Sequence, residues 1–90
     1  VAQLSRGMAA DLARHNIQVN TLSPGYFATD MNKALVEDPE FTAWLENRTP
    51  ARRWGQVEEL AGTLIYLASP ASDFVSGQNI FVDGGMTSVV

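Results

Sequence analysis

The sequence predicts an α/β protein with a parallel sheet. Two helix-then-strand units and the turn closing the first of them carry that prediction. In the first unit, apolar Val1, Leu4, Met8 and Leu12 lead into the β-branched alternation Ile17-Gln18-Val19-Asn20-Thr21-Leu22, which Ser23-Pro24-Gly25 stops. In the second, Gln56 to Ser69 leads into Asn79-Ile80-Phe81-Val82.

Each element has a local reason. Spacings of three and four place Val1, Leu4, Met8 and Leu12 on one helical face, flanked by Ala2, Ala9 and Ala13. Arg14 and His15 suit the negative end of that helix, and Asn16 suits a left-handed cap. Gly7 costs about 1 kcal/mol against alanine inside a helix, which points to close packing against a second helix. Between Tyr26 and Trp54 the pattern is irregular. Asp30 is expected to cap a short helix carrying Met31, Ala34 and Leu35. Asp38-Pro39-Glu40 starts another: a capping carboxylate, proline at the first helical position, then acid in the first turn. Phe41, Trp44 and Leu45 form its apolar stripe and Pro50 limits it. The Gln56–Ser69 helix is expected to bury Val57, Leu60, Ala61, Leu64 and Leu67, with Glu58 and Glu59 in its first turn. Ser69-Pro70 ends it, Ala71 to Gly77 is a loop, and Asp83-Gly84-Gly85 closes the last strand in a tight turn.

Composition narrows the function classes. The 90 residues are 46% hydrophobic and 18% charged with a net charge of −4, which suits a globular chain and argues against disorder. Basic residues cluster only at Arg48, Arg52 and Arg53, too few for a nucleic-acid footprint, so no nucleic-acid partner is expected. Cysteine is absent, which removes disulfides and thiolate chemistry and suits a cytoplasmic protein. No apolar run approaches the roughly 18–20 residues of a membrane span, so no membrane partner is expected. The chain opens on Val inside a helical pattern, and two strands rarely hold together alone. It therefore reads as a fragment that folds poorly without a preceding part.

The turn Pro24-Gly25-Tyr26-Phe27-Ala28-Thr29 follows directly on a strand, where open α/β sheets bind ligands. Glycine allows close backbone approach, Phe27 offers backbone N–H and C=O to a planar amide, and the Thr29 hydroxyl can bind a phosphate or carboxamide. The plainer reading makes Pro-Gly an ordinary turn and Thr29 a helix cap.

Asn20-Thr21-Leu22-Ser23-Pro24-Gly25 with Thr29 resembles the Asn-x-x-x-Pro-Gly-x-x-x-Thr segment of short-chain dehydrogenases/reductases. Arg53-x-Gly55-x-x-Glu58-Glu59 and Ser76-Gly77-Gln78-Asn79-Ile80-Phe81-Val82-Asp83-Gly84-Gly85 resemble the same family, in the same order. The resemblance implies that residues 1–90 are the C-terminal part of a single domain, a Rossmann-like doubly wound parallel sheet. It also implies reversible hydride transfer between a secondary alcohol and NAD or NADP. The segments Pro24–Thr29, Arg48–Gly55 and Phe81–Met86 look most like the branch that interconverts gluconate and 5-ketogluconate. A neighbouring branch reduces 3-oxoacyl groups on acyl carrier protein. Pro24, Gly25, Phe27 and Thr29 carry over as cofactor contacts on the nicotinamide side. A polyol or sugar-acid substrate and a homo-oligomer, usually a tetramer, are implied likewise.

The family's Gly-rich turn, catalytic serine and Tyr-x-x-x-Lys pair belong upstream of Val1. Tyr26 and Tyr66 are followed four residues on by Asp30 and Pro70, not lysine, so no catalytic residue is assigned within this chain. The rival reading is a non-catalytic interaction fragment.

Other residues have plainer roles. His15 ends a helix, which disfavours a hydrolytic triad. Asp30, Glu37, Asp38 and Glu40 lack calcium-loop spacing and read as caps and solvated face, so no metal is expected. Met31 and Arg52 are the candidate substrate-facing residues, because Arg pairs well with a carboxylate. Arg53 is expected instead to form a salt bridge, to Asp83 or Glu58. Phe41 and Trp44, at helical spacing, are expected to pack in a small core.

Overall fold

The computed structural model describes residues 1–89. Helix α1 (Ala2–Leu12) continues into a 3-10 turn, Ala13–His15, and strand β1 is Thr21–Pro24. A 3-10 turn at Asp30–Asn32 leads into α2 (Lys33–Val36), followed by α3 (Pro39–Arg48) and α4 (Val57–Leu67). Strand β2 is Asn79–Val82. Among the described residues β1 and β2 form a two-stranded sheet, with Thr21 N–H donating to Gln78 O and Gly25 N–H to Val82 O. Both donors step in the same direction along the partner, so the pair is parallel, as expected. The α/β class stands.

The chain divides into two compact units, residues 1–23 with 62–80 and residues 24–61 with 81–90. In the first, the 3-10 turn that continues α1 ends as expected for the helical segment: Asn16 takes the left-handed conformation at φ 60°. Ala9 is buried, and a Cβ on Gly77 would sit 3.5 Å from its methyl. Asn20 ties the loop before β2 to β1, donating from Nδ2 to Val75 O and accepting at Oδ1 from Gln78 N–H. A Cβ on Gly7 would meet nothing within 4 Å, so no helix among the described residues packs against it.

The first strand is displaced from its expected place. Ile17–Leu22 was the β-branched run, yet the ladder lies at Thr21–Pro24 and includes the proline. Pairing depends on where a partner backbone lies, and β2 begins only at Asn79. Pro24 is tolerated by periodicity. Thr21 and Gly25 donate toward β2, so the nitrogen of Pro24 faces the opposite edge, where no ladder bond is lost.

In the second unit, Asp38 caps α3, its Oδ1 accepting from Glu40 and Phe41 N–H, with Pro39 at the first position. Leu45 is wholly buried, and Phe41 and Trp44 join Tyr26 and Trp54 in an aromatic cluster with centroids 5.5–6.1 Å apart. Trp54 Nε1 donates to Thr42 Oγ1, which satisfies the buried indole. Asp30 does not cap the next helix. Thr29 holds the cap position, in extended conformation, and neither side chain makes a capping bond.

Helix α4 departs from expectation more instructively. Its span and acidic first turn agree with the pattern, but Val57 and Leu64 are 50% and 59% exposed, and no residue of the helix is buried. An apolar stripe is a property of sequence; burial needs a second surface, and none of the described residues supplies one.

The buried apolar residues described are Ala9, Phe27, Leu45 and Trp54. Each ordered residue costs roughly 1–2 kcal/mol of conformational entropy, which so small a core does not offset. The 90-residue chain alone is therefore expected to lose its circular dichroism gradually on heating. A sharp, two-state transition would contradict this.

Candidate functional site

The turn after β1 is set by what surrounds it. Gly25 N–H pairs with Val82 O at 2.9 Å, and a Cβ on Gly25 would lie 2.7 Å from both Cα and Cβ of Asp83. No side chain fits there, so the glycine is demanded by packing inside the chain. Packing against Asp83 is thus a reason for glycine at this position within the chain itself, beside the ligand approach expected from the sequence.

Phe27 is buried and forms an isolated parallel bridge with Gly55. Gly55 N–H donates to Tyr26 O at 2.9 Å, and Ala28 N–H donates to Gly55 O at 2.8 Å. A Cβ on Gly55 would come within 2.8 Å of the Phe27 ring. Asn32 Nδ2 donates to Phe27 O at 2.9 Å, so the carbonyl expected to face a ligand already has a partner. Phe27 N–H has no acceptor among the described residues, and neither does the half-buried Thr29 hydroxyl. Phe27 N–H and the Thr29 hydroxyl are thus among the hydrogen-bonding groups of the turn that have no partner among the described residues.

Behind the turn lies a cavity of about 80 Å³ lined by Tyr26, Phe27, Thr49, Arg53, Gly55 and Asp83, among others. The Thr49 hydroxyl is buried there without a partner. One wall is the Asp83-Gly84-Gly85 turn, with Gly84 and Gly85 at φ 65° and 93°, where glycine is favoured. The Asp83 carboxylate accepts from Thr87 Oγ1 and N–H and from Gly85 N–H, and these bonds, the Thr87 hydroxyl first, lower its pKa. Ala51 N–H donates to Gly84 O, which holds the 49–56 segment against this turn.

Arg53 forms a salt bridge as expected, but with Glu59. Its two guanidinium nitrogens meet the two carboxylate oxygens at 2.6 and 2.7 Å. Asp83 is occupied by Thr87 and Gly85, and Glu59 stands one residue further along α4 than the expected Glu58. Sequence spacing alone could not choose between adjacent glutamates. The Arg53 hydrogen bond, with that from Gln56 N–H, lowers the Glu59 pKa to about 2. Arg52 and Met31 lie outside the cavity lining. Met31 is 94% exposed, and Arg52 is exposed on a backbone at φ 58°. Arg52's left-handed backbone and Thr49's orphaned hydroxyl were both missed in the sequence, where no local pattern announces either.

The short-chain dehydrogenase class that this fold and turn indicate is borne out by comparison. The family described as enoyl-(acyl carrier protein) reductase matches residues 1–87, and the chain belongs to the short-chain dehydrogenase/reductase family. Over all 90 residues it is 62% identical to a 5-keto-D-gluconate 5-reductase of Escherichia coli (strain K12). It is 60% identical over 87 residues, 97% of its length, to a gluconate 5-dehydrogenase of Gluconobacter oxydans (strain 621H). The chain spans about 35% of the first relative's length and 34% of the second's. A crystal structure of a gluconate 5-dehydrogenase from Burkholderia cenocepacia J2315, in complex with NADP and tartrate, is 62% identical with a TM-score of 0.92. That match covers 99% of this chain and 35% of the other, so these residues carry part of a Rossmann-type fold. No helix among the described residues is long and apolar enough to cross a membrane.

The lowered pKa of Glu59 has a pH consequence. Its folded value of about 2 lies below its ordinary 4.5, so the pair's stabilising contribution is present above about pH 4.5 and is lost as pH falls toward 2. Carboxyl-carbon NMR of the full-length protein should give Glu59 a midpoint well below 4.5. A midpoint at 4.5 would show that the pair does not form in solution.

Proposed function

We propose that this chain is the C-terminal part of a single short-chain dehydrogenase domain whose intact enzyme interconverts gluconate and 5-ketogluconate with NADP or NAD. The observation that carries the reading is 62% identity over all 90 residues to a 5-keto-D-gluconate 5-reductase. Bound, the dinucleotide supplies or accepts the hydride. The free Phe27 N–H and Thr29 hydroxyl match a planar carboxamide, which offers an acceptor and a donor. Pro24 and Gly25 place that turn, Pro24 by its fixed φ and Gly25 by its seat against Asp83. The acid that moves the alcohol proton lies outside these 90 residues, since neither Tyr26 nor Tyr66 has a lysine four positions on.

Met31 and Arg52 face the substrate in this reading. The Arg52 side chain engages no partner among the described residues, which leaves its planar fork available for a sugar-acid carboxylate. The exposed apolar faces of α1 and α4, with Leu4 and Ile65 both 68% exposed, support a homo-oligomer, a tetramer as in the family resemblance. The cysteine-free composition supports a cytoplasmic location.

The full-length protein, assayed at 340 nm with NAD and NADP, should oxidise gluconate and reduce 5-ketogluconate. Turnover of acetoacetyl thioesters instead would favour the acyl-chain branch and reject this substrate. Arg52→Ala should raise KM for the sugar acid with little change in kcat, and an unchanged KM would remove Arg52 from the substrate site.

A further inference from the structure

We propose that the Arg53–Glu59 pair is a positioning device for the turn at Tyr26–Thr29, acting through Gly55. The inference rests on the cofactor reading above and extends it to two residues to which that reading assigns no ligand contact.

Gly55 holds the turn from both sides, donating to Tyr26 O and accepting from Ala28 N–H. Its place is tight, because a Cβ there would strike the Phe27 ring. Yet glycine has the greatest backbone freedom of any residue, and something must restrict it. The flanking bonds do so. Arg53 Nη1 donates to Trp54 O at 3.1 Å on one side of Gly55, and Gln56 N–H donates to Glu59 Oε1 at 2.9 Å on the other. The fork between Arg53 and Glu59 joins these two bonds, so residues 53–59 close into a ring with Gly55 inside it.

The pair is poorly suited to any other task. Its side chains are 54% and 43% exposed, and exposed ion pairs add little to global stability. What a two-bond fork does provide is direction, since planar pairing fixes orientation as well as distance. Loss of the fork frees the backbone on either side of Gly55, and the Phe27–Gly55 bridge loses its rigid backing. Phe27 N–H and the Thr29 hydroxyl then shift relative to the ligand they are to meet. Small displacements of positioning groups are costly, because the ligand's own geometry does not follow them.

Calorimetric titration of the full-length protein tests this with two ligands, NADP and 2′-phospho-ADP-ribose, which lacks the nicotinamide. NAD and ADP-ribose replace them if the protein prefers NAD. Arg53→Ala and Glu59→Gln should weaken the intact cofactor roughly tenfold and leave the nicotinamide-free ligand unchanged. Arg53→Lys, which keeps the charge on a single donor nitrogen, should recover part of the loss. Unchanged cofactor affinity in the variants would overturn the proposal. So would equal weakening of both ligands, which would mark the pair as generally structural. A wild-type protein that binds neither ligand would remove the cofactor reading itself, and this inference with it.

Discussion

The second unit depends on the contact between Gly25 and Asp83, where β1 ends against β2. A chain with four described buried apolar residues has little hydrophobic energy to hold loops in place, so backbone pairing carries more of the order. Gly25 N–H meets Val82 O, and the missing side chain lets the two backbones approach to a distance no Cβ would tolerate. Asp83 then caps its own turn through Gly85 and Thr87. That turn receives Ala51, and the segment beginning there returns to Phe27 through Gly55. Remove the first approach and each later contact loses its anchor.

This arrangement makes several glycines structural. Gly25, Gly55 and Gly84 each leave room for a specific neighbour: Asp83, the Phe27 ring, and the Thr49 and Ala51 side chains. A glycine beside a prospective ligand site invites a functional explanation, because ligand approach also demands a bare backbone. Here packing within the chain accounts for each glycine, and the groups proposed to meet a cofactor are Phe27 N–H and the Thr29 hydroxyl. The aromatic cluster of Tyr26, Phe41, Trp44 and Trp54 serves the same end, joining the turn to α3 by edge-on contacts between rings. Tyr26 is part of that packing, with Phe41, Trp44 and Trp54 around its ring.

Much of this is legible in the sequence. Asp38-Pro39-Glu40 announced α3 because capping is local: the carboxylate reaches N–H groups two and three residues on. Asn16 announced the left-handed end of the first helical segment for a similar reason. The strand expected at 17–22 lies at Thr21–Pro24 because a ladder needs a partner, and β-branched residues only make a chain willing to accept one. Arg53 was recognised as a salt-bridge former but paired with the wrong acid, since charge complementarity does not specify direction.

By itself, the sequence determined the elements whose causes lie within a few residues: helix starts, caps, the glycine turn after β2, and the family to which the ordered motifs belong. Only the tertiary structure decided which groups are left free to bind. Whether an N–H or hydroxyl is available depends on every acceptor that folding brings near it, and those come from distant parts of the chain. Phe27 O was taken by Asn32, while Phe27 N–H and the Thr29 hydroxyl were left open. Burial followed the same rule, since the stripe on α4 is apolar by composition yet exposed where no surface meets it.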